Sequence, residues 1–117
     1  MDSLIKKLET AKQGSSELDL DIAHRIGSCL SDGWVIPFYT TSIDYALSLI
    51  PADRFWHERF YWWPDIKRAD FELWETDADG NEILKIDGSN SIFAGTARTR
   101  ALAICVAALK ARAAGRA

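Results

Sequence analysis

The residues that could support hydrolytic chemistry are few and far apart in the sequence. A nucleophilic Ser or Cys needs a His and an orienting acid beside it, and the two histidines of the chain are His24 and His57. His24 is predicted on the outer side of a helix, and His57 alternates with aromatic residues in a predicted strand. Neither has a nucleophile motif beside it. We therefore expect no catalytic residues and a protein that is not an enzyme.

Metal binding is not indicated either. Cys29 and Cys105 stand alone, without the short paired Cys and His spacings of zinc sites, and we expect both to be reduced thiols in apolar surroundings. The segment that begins at Asp77 resembles a calcium loop, but Gly88 occupies the twelfth position, where such a loop has Glu. A tight turn is the favoured interpretation of this segment. No metal and no cofactor are predicted.

An anion is the first ligand that the sequence suggests, at the start of the last predicted helix. No glycine-rich phosphate loop is present. Thr96 and Arg98 do come just before this helix, whose first N–H groups could bind an anion such as a nucleotide phosphate. Capping of the helix explains the neighbouring hydroxyls equally well. Thr96 and Arg98 are therefore candidate binding residues, with capping as the alternative.

A second candidate surface is the stretch from Arg54 to Arg68, where aromatic and basic residues are mixed. Such a mixture can stack on single-stranded nucleic acid, but the net charge of -3 disfavours a nucleic-acid partner. An aromatic core with a charged, solvated edge explains the same residues. Aromatic side chains exposed on the side away from the helices would instead mark a partner or self-association surface. The candidate binding residues here are Trp56, Arg59, Tyr61, Trp62 and Trp63.

The helices that must position these residues follow from apolar spacing of three and four. The chain has 117 residues, of which 48% are hydrophobic and 26% charged, and this is typical of one globular domain. Ser16 and Thr99 are predicted helix caps. Small residues surround most of the last helix, which predicts close packing against the sheet and against another helix or subunit. The predicted helices cover about residues 3–13, 16–30, 42–50 and from 99 onward.

The strands are predicted where the apolar spacing changes to two, from Arg54 onward. An edge strand or extended lead-in is predicted over Trp34–Tyr39, because a central strand would not accept Pro37. Asp79-Gly80 predicts a tight turn between antiparallel strands at Phe71–Thr76 and Glu82–Ile86. The order of elements predicts a single domain over residues 1–117 with an α+β fold. We expect an α-β-α sandwich in which helices cover an antiparallel sheet.

Three blocks of this sequence resemble the phage ABA sandwich domain family, a group of small phage and prophage proteins. The blocks are Ser16–Ala23, Tyr39–Pro51 and Thr99–Ala111. Arg100 stands where family members often have Pro, and residues 55–92 match only in their aromatic character. The resemblance implies a three-layer α-β-α arrangement, a phage or prophage origin and no particular chemistry. A protein of that origin, with no signal or membrane segment in its sequence, is expected in the host cytoplasm.

Together these observations predict a phage or prophage accessory protein that acts by non-enzymatic binding or by oligomerisation. The alternative is an anti-defence sponge that sequesters a nucleotide signal of the host. A protein partner or self-association, through the aromatic stretch or the last helix, is favoured. A nucleotide is the alternative ligand, nucleic acid is disfavoured, and no membrane contact is predicted.

Overall fold

The computed structural model describes residues 2–27, 36–81, 83 and 92–114. Within them, helices and a three-stranded antiparallel sheet form an α+β sandwich, as expected from the sequence. A short 3-10 turn over Pro64–Ile66 joins the first two strands. The elements in chain order are α1 (Asp2–Thr10), α2 (Ser16–Arg25), α3 (Ile43–Leu47), β1 (Phe55–Trp63), β2 (Arg68–Thr76), β3 (Ile92–Ala97) and α4 (Arg100–Ala114).

The sheet has β2 in the centre, with β1 and β3 antiparallel on either side. Phe71 of β2 lies opposite Phe60 of β1 and Gly95 of β3, which sets the register of both ladders. Since side chains alternate between the two faces of a strand, Phe71 and Leu73 share the face that packs on the helices, and both are buried. The other face of the sheet, called the outer face below, is not covered by any helix within the described residues.

Helix α4 is the centre of the molecule. It is buried on all sides from Ala101 to Leu109, because it packs against β2 and β3 on one side and against α1 and α3 on the other. The layers are therefore the sheet, then α4, then α1 with α3. The predicted close packing of the small residues is confirmed, and the packing partners are elements of the same chain. No exposed surface remains on α4 from Ala101 to Leu109 for a second subunit.

Gly95 permits the close approach of α4 to the sheet. A Cβ atom at this position would lie 2.2 Å from the Ala103 carbonyl oxygen and 2.7 Å from the Ala107 nitrogen. Both are backbone atoms of α4 and cannot move aside as a flexible side chain could. The distance between β3 and α4 is thus set by the absence of a side chain at residue 95.

A buried polar cluster fastens α2 to the segment before α3. The carboxylate of Asp19 is buried and accepts hydrogen bonds from the backbone N–H of Thr40 at 2.8 Å and from its hydroxyl at 2.6 Å. The Thr40 hydroxyl oxygen also accepts from the Ser15 N–H at 3.0 Å. Burial of a carboxylate is costly without such partners, so these bonds hold the two segments in one arrangement.

The predicted caps and helix ends are partly confirmed. Thr99 caps α4 by accepting from the Leu102 N–H at 3.2 Å. The predicted cap Ser16 is wrong, since Ser15 accepts from the Leu18 N–H and caps α2 instead. Helix α2 also ends at Arg25 rather than near residue 30, because Gly27 takes the left-handed conformation, with φ at 69°, that ends helices.

Of the predicted strands, those in the aromatic stretch and at Phe71–Thr76 are confirmed as β1 and β2. In the predicted edge strand Trp34–Tyr39, the described residues 36–39 form no strand, and the Tyr39 N–H bonds back to the Pro37 carbonyl at 2.9 Å. The predicted turn is confirmed by Gly80, at φ 89°. Except for Ile83, the predicted strand Glu82–Ile86 lies outside the described residues, as does Cys29, and β3 begins at Ile92.

Candidate aromatic binding surface

Strand β1 displays four consecutive aromatic side chains that are exposed to solvent. The exposed fractions are 39% for Phe60, 43% for Tyr61, 38% for Trp62 and 50% for Trp63. Because β1 is an edge strand and α4 lies over β2 and β3, the described residues cover the side chains of β1 less than those of β2. We call these four side chains the aromatic strand surface.

Tyr61 and Trp63 lie on the outer face of the sheet, beside a network centred on Asp70. The Trp63 ring N–H donates to Asp70 at 3.2 Å, and the Arg68 guanidinium and Thr96 hydroxyl each donate to it at 2.9 Å. Partial burial by itself would raise the Asp70 pKa, but these hydrogen bonds and the Arg68 charge hold the pKa below its usual value. The network orients the Trp63 ring on the surface.

Arg59 lies on the same outer face, with its guanidinium 4.3 Å from the centre of the Trp74 ring. This is cation–π geometry. Trp74 faces His57 in the register, and His57 is exposed. The outer face of β1 and β2 therefore presents a mixed aromatic and charged surface, of the kind found at protein–protein contacts.

Phe60 and Trp62 lie on the opposite, helix-facing side of β1, beside the start of α4. The guanidinium of Arg100 is 5.4 Å from the Phe60 ring centre and 5.9 Å from the Trp62 ring centre. Trp62 and Arg100 line a cleft of about 680 Å³ at the N-terminus of α4, together with Arg98, Thr99 and residues of the α1–α2 and pre-α3 segments. An aromatic ring, two guanidinium groups and the positive end of a helix dipole thus share one open cleft.

The other predicted binding residues are not all placed in this surface. Trp56 is half buried: its ring N–H donates to the Pro51 carbonyl at 2.8 Å, and its ring packs edge-on against Phe93. Thr96 lies on the outer face, where its hydroxyl binds Asp70, and it does not line the cleft at the start of α4. Thr96 and Arg98 line a separate shallow cleft next to the 3-10 turn. The predicted convergence of Thr96, Arg98 and the first N–H groups of α4 on one anion is therefore wrong.

Two residues beside the aromatic strand surface, Trp74 and Arg100, were not among the predicted binding residues. Trp74 is on the outer face because β2 alternates, with Phe71 and Leu73 facing the helices, and this alternation was visible in the sequence. Arg100 was considered only as a residue near the helix start. Its position over Phe60 depends on the packing of α4 beside β1, for which the sequence has no local signal.

The potentially reactive groups are arranged as follows. The Cys105 thiol is buried and donates to the Tyr39 carbonyl at 3.2 Å, and burial, with the nearby Asp19 charge, raises its pKa well above the usual range. Asp77 accepts backbone N–H bonds from Asp79 and Asn81, as a turn requires. His24 is exposed on α2. Among the described residues, no group of three or more His, Cys, Asp or Glu side chains could hold a metal ion.

Comparisons with known proteins give no relative: no family model, no curated protein and no solved structure matches the chain. The resemblance to the phage ABA sandwich family therefore stays a prediction. In the part of the chain that the structure describes, no helix is both long and apolar enough to cross a membrane.

Proposed function

We propose that this chain is a non-enzymatic binding module of a phage or prophage, which engages another protein chain through the aromatic strand surface. The observation that carries the proposal is the exposure of Phe60, Tyr61, Trp62 and Trp63, each above one third, on a single outer strand. Tyr61 and Trp63 lie on the outer face and Phe60 and Trp62 on the helix-facing side, so the exposed apolar surface extends around the edge of β1, and exposed apolar surface of this kind often marks a contact with another protein. The phage origin rests on the three resembling sequence blocks, and the proposed host-cytoplasmic location rests on it in turn.

The composition of this surface supports a protein partner. Tyr and Trp are enriched at protein contacts because they combine a large apolar area with one polar group and lose little conformational entropy. The Trp63 ring is already held by its bond to Asp70, and Arg59 is stacked on Trp74. Side chains that are ordered before binding pay a smaller entropic cost on association.

The test is site-specific photo-crosslinking in cells that express the chain at its native level. With p-benzoylphenylalanine in place of Tyr61, we expect one discrete covalent adduct, identified by mass spectrometry. The matched control carries the same group in place of Leu20, which is 37% exposed on α2, and should give no such adduct. Absence of any discrete adduct at residue 61, or equal adducts at both positions, would contradict the proposal.

A second candidate function is capture of a nucleotide in the cleft at the start of α4. The observation in its favour is that Trp62, Arg98 and Arg100 line this cleft together, since an aromatic ring can stack on a base and guanidinium groups can pair with phosphate. The test is the melting temperature with a panel of linear and cyclic nucleotides at micromolar concentration. A rise that is lost in Arg98→Ala and kept in Arg25→Ala would support it, and no rise with any nucleotide would exclude it.

A further inference from the structure

The two edges of the sheet differ in how the described residues protect them. At the β3 edge, the Lys110 ammonium donates to the Ala94 carbonyl at 2.9 Å, and lysine is a common protective group at strand edges. Strand β1 has nine residues against six in β3, and its sequence contains neither Pro nor Lys. A long outer strand with exposed apolar side chains is a template for pairing with another strand.

The register shows which backbone groups of β1 point out of the sheet. In an antiparallel ladder, the N–H and C=O of one residue point to the same side, and the side alternates along the strand. The Glu75 carbonyl accepts from the Ile83 N–H at 3.1 Å, on the side of β2 away from its β1 partner Trp56. Odd-numbered residues of β2 therefore point away from β1. The outward-pointing residues of β1 are then the even-numbered ones, Trp56, Glu58, Phe60 and Trp62.

An independent hydrogen bond agrees with this alternation. Ala94 of β3 lies opposite Glu72, an even-numbered residue of β2 that points towards β1. The Ala94 groups must therefore point to the free edge of β3, where Lys110 binds the carbonyl. In the described part of the chain, by contrast, no hydrogen bond reaches the outward backbone groups of β1.

We propose that β1 pairs in antiparallel orientation with β1 of a second copy, so that two three-stranded sheets become one sheet of six strands. The inference rests on the proposed function, because it identifies the protein partner of the aromatic strand surface as a second copy of this chain. A two-fold axis perpendicular to the sheet generates the pairing and keeps the helices of both copies on the same side.

The outward groups and the charges select one register. In this pairing, residues whose backbone groups point out of one sheet must lie opposite residues whose backbone groups point out of the other. The two-fold axis can therefore pass through residue 58, 59, 60 or 61 of β1. An axis at Glu58 or Arg59 places like charges directly opposite each other, which is destabilising. An axis at residue 61 leaves two hydrogen-bonding pairs, both between Phe60 and Trp62, because Glu58 then faces Pro64, which has no N–H to donate. With the axis at Phe60, Pro64 faces Trp56 at the end of the ladder, three residue pairs exchange hydrogen bonds and no like charges meet.

Charge complementarity supports the same register. With the axis at Phe60, Glu58 faces Trp62 of the second copy, and Arg100 lies beside that Trp62 ring within its own copy. Within the described residues, Glu58 makes no ion pair. Pairing would therefore bring the Glu58 carboxylate towards the Arg100 guanidinium of the other copy, once on each side of the axis.

The first measurement is the mass in solution over a range of concentrations. We expect twice the chain mass of 13.1 kDa at high concentration. Phe60→Pro removes an N–H that points out of the sheet, so it should reduce the mass to that of one chain while the fold persists. His57→Pro is the matched control, because the His57 N–H points towards β2 and its loss should destabilise the chain itself. A single-chain mass at all concentrations, or a dimer that survives Phe60→Pro, overturns the proposal.

A disulfide tests the register. Phe60 faces its own copy in the proposed pairing, at a Cα separation of about 5.5 Å, which a disulfide can span. In a Cys29→Ser background, Phe60→Cys should form an intermolecular disulfide on mild oxidation. Trp63 is more exposed than Phe60, but its counterpart in the other copy would lie roughly 20 Å away, so Trp63→Cys should not form one. Equal yields from the two variants contradict the register.

Charge exchange supplies a readout that does not depend on folding. Glu58→Arg and Arg100→Glu should each raise the dimer dissociation constant about tenfold, and the double variant should recover most of the loss. Arg100→Glu places an acid at the start of a helix, which is favourable for the monomer. Failure of the double variant to recover shows that Glu58 and Arg100 do not meet, and excludes this register.

The outcomes also separate this inference from the proposed function. A photo-adduct at residue 61 with a different protein, together with a single-chain mass, overturns self-pairing and leaves the binding module intact. No adduct of any kind and a single-chain mass overturn both. An adduct of two copies, lost in Phe60→Pro, supports both.

Discussion

Gly95→Ala tests the packing on which the whole arrangement depends. The added Cβ would lie 2.2 Å from the Ala103 carbonyl oxygen, 2.7 Å from the Ala107 nitrogen and 3.0 Å from the Val106 Cβ. Since folded proteins essentially never contain Cβ contacts below 3.0 Å, α4 and β3 must separate by about 0.8 Å. The separation cannot be local, because the whole of α4 packs on the sheet.

The size of the destabilisation follows from the contacts between α4 and β3 that such a separation weakens. A gap of roughly this size forfeits between a quarter and a half of the attraction across each affected contact. Overpacking against backbone atoms belongs at the upper end of the usual range, so we expect a loss of about 3 kcal/mol in the free energy of unfolding. For a domain of this length, that corresponds to a melting temperature lower by about 12 °C.

The assay is urea unfolding followed by circular dichroism, with thermal melts as a second measurement. The control Ala94→Ser changes the residue before Gly95, which is exposed on the outer face, and should alter the free energy of unfolding by less than about 0.5 kcal/mol. Gly80→Ala should cost only about 1 kcal/mol, because Gly80 has positive φ but no atom within 4 Å of an added Cβ. A loss below about 1 kcal/mol for Gly95→Ala would refute the close approach of α4 to β3.

Three further predictions concern buried or hydrogen-bonded polar groups. Thr40→Val should cost about 2 kcal/mol in chemical unfolding by leaving buried partners unpaired; an effect equal to that of the exposed control Thr41→Val would contradict this. Because its pKa is lowered in the fold, Asp70 contributes stability above about pH 4 that is lost as the pH falls through the lowered value. Asp70→Asn should therefore flatten the acid side of the stability profile, and an unchanged profile would argue against the network. In a Cys29→Ser chain, Cys105 should react with iodoacetamide at pH 8 at least about 100-fold more slowly than in urea, whereas rapid labelling would show that its burial is wrong.

Features with a strong local cause could be predicted from the sequence. The period-two pattern identified β1, the Asp79-Gly80 pair identified the turn after β2, and the helix cap was predicted at Thr99. The end of α2 was missed although Gly27 was visible, because the apolar spacing that continues to Cys29 suggested a longer helix. At such a glycine, the backbone preference for positive φ outweighed the hydrophobic pattern.

The candidate surface could be predicted only in outline. The aromatic stretch was recognised, but whether each ring is buried depends on which strands α4 covers. Trp56 and Trp62 occupy the same side of β1, yet Trp56 packs against Phe93 while Trp62 stays exposed beside Arg100. The neighbours that decide this difference, Phe93 of β3 and Arg100 of α4, lie about 40 residues away in the sequence, and such long-range placement leaves no local pattern.

The central position of α4 also has a consequence for the order of folding. The sheet and the layer of α1 and α3 both pack on a helix that follows them in the chain, and α1 lies some 90 residues before α4 in sequence. Contacts of this range require large loops to close before they give any stabilisation, and they slow folding. During synthesis, the apolar face of β2 and β3 would stay exposed to solvent until α4 has left the ribosome. The nascent chain should therefore remain unfolded, and open to chaperones, until α4 has been made.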